Sequence, residues 1–207
     1  MVFPSVYEMS NPLTTVRKQH FWDYFSGATL NSRWTDHGSG GPTYVMNDEA
    51  NGGVRLTSSG AGYAVMGFNN KRPFDVGQCT FIGTFRRNSD DQYATAGLRN
   101  NPVSSSNGSY MLMDTGASNI QLLNNNGSST TTTVTTTPIH KNWTTVKIEN
   151  DRAGTSIKLS LDGVLASNGT STTNISSAVG QPVFATLYSS SAGTTTLDTN
   201  YCEVFNT

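Results

Sequence analysis

Apolar and polar residues alternate in two neighbouring stretches in the second half of the chain. Val146 and Ile148 lie between polar residues, and Ile157, Leu159 and Leu161 repeat the same alternation a few positions later. A period of two places the apolar side chains of a stretch on one face of a pleated strand and the polar side chains on the other. The pattern therefore predicts two half-buried antiparallel β-strands.

A two-residue turn signal follows the second stretch. Asp162 and Gly163 lie between Leu161 and Val164. A type I′ hairpin turn needs positive φ at both central residues, and Asp-Gly adopts it at low cost. The chain is therefore predicted to reverse at this dipeptide and to continue as a further strand.

Short apolar runs separated by Gly, Asn, Ser and Asp turn signals fill most of the chain. They predict strands at Tyr44–Met46, Val54–Thr57, Tyr63–Phe68, Gln78–Arg87, Tyr93–Arg99, Tyr110–Asp114, Asn119–Leu123, Trp143–Glu149, Ser156–Leu161, Val183–Tyr188 and Asp198–Phe205. The Thr-rich segment Ser128–Thr137 is predicted as a strand or a wide loop, because β-branched residues favour extended backbone. No stretch has a convincing helical period, so the sequence predicts an all-β, antiparallel two-sheet β-sandwich.

The first nineteen residues follow neither period. Residues 1–19 contain two prolines and scattered apolar residues, which predicts an extended N-terminal arm ahead of a sandwich formed by residues 20–207. Exposed aromatic residues are costly in water, so we expect the arm to dock on a neighbouring subunit of a homo-oligomer; a frayed terminus is the alternative. The side chains expected to make this contact are Val2, Phe3, Val6 and Tyr7.

Composition excludes several classes of partner. Charged residues make up 13% of the 207 residues and the net charge is -1, against about 25% charged in an average domain. Such a chain lacks the basic surface that binds a nucleic-acid backbone, and no apolar run approaches the roughly eighteen residues of a membrane span. A surface of Ser, Thr, Asn and Gly is typical of virion proteins, extracellular proteins and sugar binders. The first residues show no secretory signal pattern, so we expect either that a signal has been removed or that the protein reaches its destination by another route, such as assembly into a particle.

The two cysteines, Cys79 and Cys202, are too few for a disulfide framework. Cys79 has the same strand parity as Phe81 and Phe85, so we predict a small buried apolar residue. A Cys79–Cys202 bridge is the alternative.

Three stretches resemble the concanavalin A-like lectin/glucanase superfamily, whose LamG-like members are jelly-roll sandwiches. The segment Phe21–Thr35 is similar to the opening segment of such domains, which has an aromatic and an acidic residue, then Phe-Ser-Gly and a later Trp. Trp143–Leu165 is similar to the central hairpin, and Leu197–Phe205 resembles the closing strand, which pairs with the first. The segment Gly52–Thr57, with the Phe-Ser-Gly opening, is similar to tailed-phage structural proteins. The resemblance covers residues 20–207 and implies a concanavalin A-like jelly roll, but it is nearly silent on activity.

The resemblance also implies what a catalytic member would carry. Glucanases of this superfamily place carboxylates on alternate positions of one strand, which brings a nucleophile and an acid/base to the roughly 5 Å that retaining hydrolysis needs. This sequence has no such strand. Its acidic pairs at residues 48–49 and 90–91 consist of neighbouring residues, which point to opposite faces of a strand, and they lie in segments rich in turn-forming residues. We therefore predict no catalytic residues and no enzyme activity. Asp23 and Asp198 occupy positions that suit the structural calcium of many relatives, but loop carboxylates are common, and we predict neither metal nor cofactor.

Glycan binding requires aromatic faces on which sugar rings can stack. Aromatic residues available among Asn, Ser and Thr are Trp34, Tyr44, Tyr63, Tyr93, Tyr110 and Tyr188. Of these, we take Trp34, Tyr93 and Tyr188 as the glycan-stacking candidates.

Three functions are compatible with these features. The first is a non-enzymatic structural protein of a virion or particle surface, of the capsid-decoration or fibre type, with protein subunits as partners and glycans as a further partner class. The second is a carbohydrate-binding module of an extracellular enzyme, and the third is a hydrolase or lyase with a divergent site. The missing catalytic carboxylates, the neutral surface and the arm favour the first, with a virion-surface or extracellular location.

Overall fold

The computed structural model describes most of the chain after the predicted arm. The described residues are 20–39, 43–46, 53–59, 62–68, 73–87, 92–104, 107–114, 117–151, 153–188 and 194–206. The expected docking residues Val2, Phe3, Val6 and Tyr7 lie outside these ranges, as do the acidic pairs at 48–49 and 90–91. Within these ranges no helix is long and apolar enough to cross a membrane.

The described residues form sixteen strands and one short 3-10 helix, Val76–Gln78. The strands are β1 (His20–Asp23), β2 (Trp34–Asp36), β3 (Thr43–Met46), β4 (Val54–Ser59), β5 (Tyr63–Phe68), β6 (Phe74–Asp75), β7 (Cys79–Arg87), β8 (Gln92–Arg99), β9 (Gly108–Met113), β10 (Asn119–Asn125), β11 (Thr130–Pro138), β12 (Thr144–Asn150), β13 (Ile157–Leu161), β14 (Val164–Ser171), β15 (Val179–Tyr188) and β16 (Thr194–Asn206). The all-β prediction is confirmed.

These strands form two antiparallel sheets of eight strands each. Sheet 1 has the order β14-β13-β12-β7-β16-β4-β3, with β1 also paired to β16, and sheet 2 has the order β11-β10-β9-β8-β15-β5-β2, with β6 also paired to β15. Alternate side chains of both sheets meet in one apolar core that contains Phe81 and Phe85 from sheet 1 and Met111, Leu122 and Phe184 from sheet 2. The predicted two-sheet sandwich is therefore confirmed.

The first and last described strands pair as predicted. His20 to Asp23 of β1 lie opposite Phe205 to Cys202 of β16. Strand β16 also pairs with β7 on its other side and with β4 at its beginning. Strand β16, the last described strand, therefore lies in the interior of sheet 1, between β7 on one side and β4 and β1 on the other.

The Asp-Gly hairpin is also confirmed. Asp162 and Gly163 have φ values of 50° and 81°, and they join β13 to β14. The Asp162 carboxylate accepts a hydrogen bond of 2.7 Å from the Thr145 amide, and the Asp162 amide donates one of 2.8 Å to the Thr145 carbonyl. The turn is thus fastened to the neighbouring strand β12.

The Thr-rich segment, for which the sequence allows either a strand or a wide loop, forms strand β11.

The opening aromatic stretch contributes to both sheets. Phe21 and Trp34 both contact Phe68, with ring centroids 4.8 and 5.0 Å away. The Asp23 carboxylate accepts a 2.9 Å hydrogen bond from the Trp34 indole N–H and a 2.7 Å bond from the Phe25 amide. Through these two hydrogen bonds Asp23 joins the end of β1 to the segment that follows it and to β2.

Asp198, the second calcium candidate, lies between two arginines. Arg55 binds the Asp198 carboxylate through two hydrogen bonds of 2.7 and 2.9 Å, and Arg86 adds a third of 2.9 Å. Burial raises the pKa of Asp198, but the hydrogen bonds and charges of the two arginines outweigh burial and hold the pKa below its ordinary value. The carboxylate therefore completes an ion-pair network. Among the described residues, no cluster of three or more His, Cys, Asp and Glu side chains could hold a metal ion.

Both cysteines are buried and free, as the small apolar interpretation of Cys79 predicts. Cys79 lies opposite Asn206, and Cys202 lies opposite Gly83. The two cysteines are four residue steps apart along this ladder, about 13 Å along the strands, whereas a disulfide needs Cα atoms no more than about 7 Å apart. The alternative Cys79–Cys202 bridge is therefore wrong.

The ion-pair network makes a prediction about acid stability. Asp198→Asn should lower the free energy of unfolding at pH 7 by about 2–3 kcal/mol, somewhat less than for a fully buried pair because both arginines are partly exposed. A lowered pKa in the folded protein means that the contribution is present above the ordinary pKa near 3.8 and is lost as the pH falls below it. Denaturant titrations at pH 7, 4 and 3 should show the difference from wild type shrinking.

Glu149→Gln is the matched control, because it removes a carboxylate from an exposed pair with Lys147. This change should cost less than about 1 kcal/mol. Equal costs for the two variants, or a difference that does not depend on pH, would contradict the role assigned to Asp198.

Candidate functional site

A groove of about 280 Å³ lies on sheet 2. It is lined by Tyr63, Val65, Tyr93, Thr95, Arg99, Pro102, Val103, Tyr110, Leu112, Ala185 and Thr186. Residues of intervening parity, such as Ala94, Ala96 and Leu98 of β8, belong to the core. The strand alternation therefore directs one set of side chains inward and the other set, including Tyr93, Thr95 and Arg99, into the groove.

Strand register explains why this surface is hollow. Thr95 of β8 lies opposite both Leu112 of β9 and Ala185 of β15, and Ala185 lies opposite Val65 of β5. Thr95, Ala185 and Val65 are small or short side chains, and they form the floor of the groove across three strands. Tyrosines lie beside this row, so the groove has short side chains at its centre and long aromatic side chains at its sides.

Three tyrosines surround the floor. Tyr63 and Tyr93 both lie opposite position 187 of β15, one strand away on either side. Both side chains are half-buried, whereas Tyr110 is nearly fully buried on the far side of Gly97. The phenol rings thus approach the groove from strands β5, β8 and β9.

Gly97 allows the close approach of Tyr110. A Cβ atom at position 97 would come within 2.5 Å of the Tyr110 Cα atom and of the Ser109 carbonyl oxygen. Since these are backbone atoms, no side-chain rotation could relieve the clash. The absence of a side chain at position 97 therefore allows the backbone at Tyr110 to lie close to β8.

Arg99 occupies the space above Gly97. Its guanidinium donates a 2.9 Å hydrogen bond to the Thr95 hydroxyl, four residues away along the same strand, or about 13 Å between Cα atoms. The side chain must therefore extend along β8 across position 97. There it stacks on Tyr110, with 4.0 Å between the guanidinium carbon and the ring centroid. Gly97 leaves room for both partners.

The Arg99 side chain is a buried positive charge, with 9% of the residue exposed. Burial lowers the pKa of Arg99, and Tyr110 acts in the opposite direction, but arginine stays protonated at neutral pH. None of the ion pairs found in the described ranges involves Arg99. Its neighbours across the strands are Gly108, which has no side chain, and Gln181, which has no charge. Stacking on Tyr110 offsets about 0.5–2 kcal/mol of the desolvation cost, which for a buried ion amounts to several kcal/mol.

The three predicted glycan-stacking residues have different locations. Tyr93 lines the groove. Trp34 is 4% exposed and packs among Phe21, Phe25 and Phe68, so its indole stabilises the core and offers no face to a sugar. Tyr188 ends β15, and its side chain lies outside the described part of the structure.

Three groove residues do not stand out in the sequence pattern. Tyr63 and Tyr110 are two of several aromatic residues among Asn, Ser and Thr, and Arg99 is the last residue of a predicted strand. The parity of Tyr93, Thr95 and Arg99 in one strand places them on a common face, and this signal could have identified Arg99. The neighbourhood of Tyr63 and Tyr110 could not be found in that way, because it depends on strand order.

The described lining of the groove lacks the paired carboxyl groups of a retaining glycoside hydrolase. None of its lining residues, as far as the structure describes them, is Asp, Glu or His. Of the histidines, His20 binds Glu203 at 2.8 Å on sheet 1, and His37 contacts the Phe68 carbonyl oxygen at 3.1 Å. The groove therefore offers aromatic faces, a few hydroxyl groups and one cation, but no carboxylate in its described lining.

Comparisons with known proteins identify the fold. No protein-family model matches the chain, and a search of curated protein sequences finds no match. Among solved structures, an apo Crh5 transglycosylase has a TM-score of 0.64 and 12% identity, with 90% of this chain and 84% of that chain covered. The carbohydrate recognition domain of Emp47p has a TM-score of 0.63 and 14% identity, covering 90% of this chain and 94% of that domain.

A β-glucanase from Bacillus licheniformis has a TM-score of 0.60 and 14% identity, with 91% of this chain and 98% of the glucanase covered. These neighbours include a recognition domain and two enzymes, and at such low identity they share architecture only. With its two eight-stranded antiparallel sheets and the pairing of its first and last described strands, the chain therefore has the jelly-roll fold of the concanavalin A-like lectins and glucanases.

Proposed function

We propose that this chain is a non-catalytic carbohydrate-binding protein that receives a glycan in the groove on sheet 2. The observation that carries the proposal is the arrangement of Tyr63, Tyr93 and Tyr110 around the short floor residues. The C–H faces of a sugar ring stack on aromatic rings, while its hydroxyl groups need nearby hydrogen-bond partners. The phenol groups and the Thr95 hydroxyl supply such partners.

The volume of the groove agrees with this proposal. At about 280 Å³ it is close to the lower end of the range of roughly 300–1,000 Å³ for small-ligand sites. A short stretch of sugar is therefore a better match than a long buried polymer. The Emp47p domain is a carbohydrate recognition domain by name, and the shared fold lends the proposal support by analogy.

The chemistry of the groove favours binding over hydrolysis. A retaining glycosidase needs two carboxyl groups about 5 Å apart, and an inverting enzyme needs two that are further apart. The described lining of the groove offers neither. Turnover of a β-glucan by the purified protein would contradict the non-catalytic role.

We further propose that the protein acts at a virion surface or another extracellular surface as a homo-oligomer, with residues 1–19 docking on a neighbouring subunit. A specific surface favours this proposal. Trp22 and Tyr24 are 56% and 58% exposed, in and just after β1, the strand that directly follows residue 19. Tyr24 contacts Tyr201 of β16, with ring centroids 5.1 Å apart. Exposed aromatic residues of this kind mark protein contacts.

Glycan binding can be tested with one tyrosine from each sheet. Tyr93→Ala should weaken binding of the best ligand from a glycan array about three- to tenfold, since aromatic stacking contributes roughly 0.5–1.5 kcal/mol. Tyr44→Ala is the matched control, because Tyr44 is 43% exposed but lies on sheet 1. Isothermal titration calorimetry measures both affinities. Absence of any bound glycan, or equal losses in the two variants, would contradict the proposed site.

Removal of residues 1–19 tests the assembly role. The truncated protein should keep the thermal transition of the full chain, because the described core of the sandwich begins at β1, but it should lose oligomerisation. Size-exclusion chromatography with light scattering compares the two forms. A full-length monomer would contradict the assembly role, and loss of folding on truncation would place residues 1–19 in the core.

A further inference from the structure

The cation in the groove has more hydrogen-bonding capacity than the protein uses. A guanidinium carries five N–H donors, and the described structure gives the Arg99 side chain one acceptor, the Thr95 hydroxyl. No Arg99 nitrogen is among the fully enclosed side-chain atoms without a partner. Since Arg99 lines the groove and 9% of the residue remains exposed, some of these donors remain open to the groove.

The protein neutralises a comparable buried charge elsewhere. On sheet 1 the Asp198 carboxylate receives three hydrogen bonds from two arginines that lie opposite it in neighbouring strands. On sheet 2 the positions opposite Arg99 are Gly108 and Gln181. The positive charge beside the tyrosines therefore lacks an internal counterion among the described residues.

The geometry points to an acidic sugar as the ligand of this groove: we propose that Arg99 binds the carboxylate of a uronic or sialic acid unit whose ring stacks on the neighbouring tyrosines. This inference rests on the proposed glycan-binding function and names its ligand class. Arginine presents paired N–H groups that match the two oxygens of a carboxylate. The stack on Tyr110 and the bond to Thr95 hold the guanidinium in place before the ligand arrives, so less side-chain entropy is lost on binding.

A site of this kind discriminates between acidic and neutral sugars. The bound carboxylate would supply a counterion that the described residues do not provide, and it would pair donors of the guanidinium that face the groove. A neutral sugar would keep the stacking contacts but leave the charge uncompensated. We therefore expect an acidic sugar to bind at least tenfold more tightly than its neutral counterpart.

The test compares matched sugars by isothermal titration calorimetry on the full chain. The probes are 3′-sialyllactose with lactose, oligogalacturonate with its methyl ester, and sulfated lactose as an anion without a carboxylate. At least one carboxylate probe should bind, and its neutral counterpart should bind at least tenfold more weakly. Stronger binding of sulfated lactose than of both carboxylate probes would overturn the assignment of a carboxylate.

Substitution of Arg99 links the preference to the groove. Arg99→Gln should reduce the acidic-to-neutral ratio to about one while preserving weak binding of the neutral sugar. Arg33→Gln is the matched control, because it removes the same charge from an exposed arginine that stacks on Phe21. Arg33→Gln should leave the ratio unchanged. An unchanged ratio in Arg99→Gln would overturn the proposal.

A second pair of variants is available in case Arg99→Gln fails to fold. Val103 is exposed at the rim of the groove, so substitution there should be tolerated. Val103→Glu adds a competing carboxylate and should weaken acidic-sugar binding at least fivefold, whereas Val103→Gln, of similar size, should have little effect. Equal effects of these two variants would overturn the proposal.

The outcomes separate the ligand class from the function. Equal binding of acidic and neutral sugars, weakened in Tyr93→Ala, would overturn the acidic-sugar inference and keep the glycan-binding function. Absence of binding by every probe would overturn the inference, and an empty glycan array in addition would overturn the function.

Discussion

Burial of alternate residues in strand β8 is the constraint on which both the core and the groove depend. Ala94, Ala96 and Leu98 enter the core, so Tyr93, Thr95 and Arg99 must face the opposite side. A shift of one residue in the pairing of this strand would exchange the two faces and place an arginine in the core. The apolar contacts that hold the sandwich together therefore also fix the position of every groove side chain on β8.

The buried charged groups of the two sheets, Asp198 and Arg99, have different neighbours. Sheet 1 surrounds the carboxylate of Asp198 with the guanidinium groups of Arg55 and Arg86, and this arrangement stabilises the fold. Sheet 2 places Arg99 beside a tyrosine, a threonine and a neutral amide. Because a buried charge without a counterion destabilises a protein, the position of Arg99 in the groove supports the proposed acidic-sugar site.

Strand existence and turn chemistry were predictable because both depend on local sequence. The alternating apolar positions Val146, Ile157 and Leu159 are all fully buried, and the Asp-Gly dipeptide determined its own hairpin. Pairing of β1 with β16 followed only from the family resemblance. Short strands such as β2 and β6 were missed, since three and two residues are too few to show a period.

The sequence by itself determined the all-β class, the hairpin at Asp162 and Gly163, and the face of β8 to which Tyr93 belongs, because these features depend on neighbouring residues. Only the tertiary structure decided that Trp34 is buried, that the two cysteines are too far apart to bridge, and that Tyr63, Tyr93, Tyr110 and Arg99 share a groove. These outcomes depend on strand order and register between segments distant in the chain. Local alternation fixes which face a side chain occupies but not which strand lies beside it.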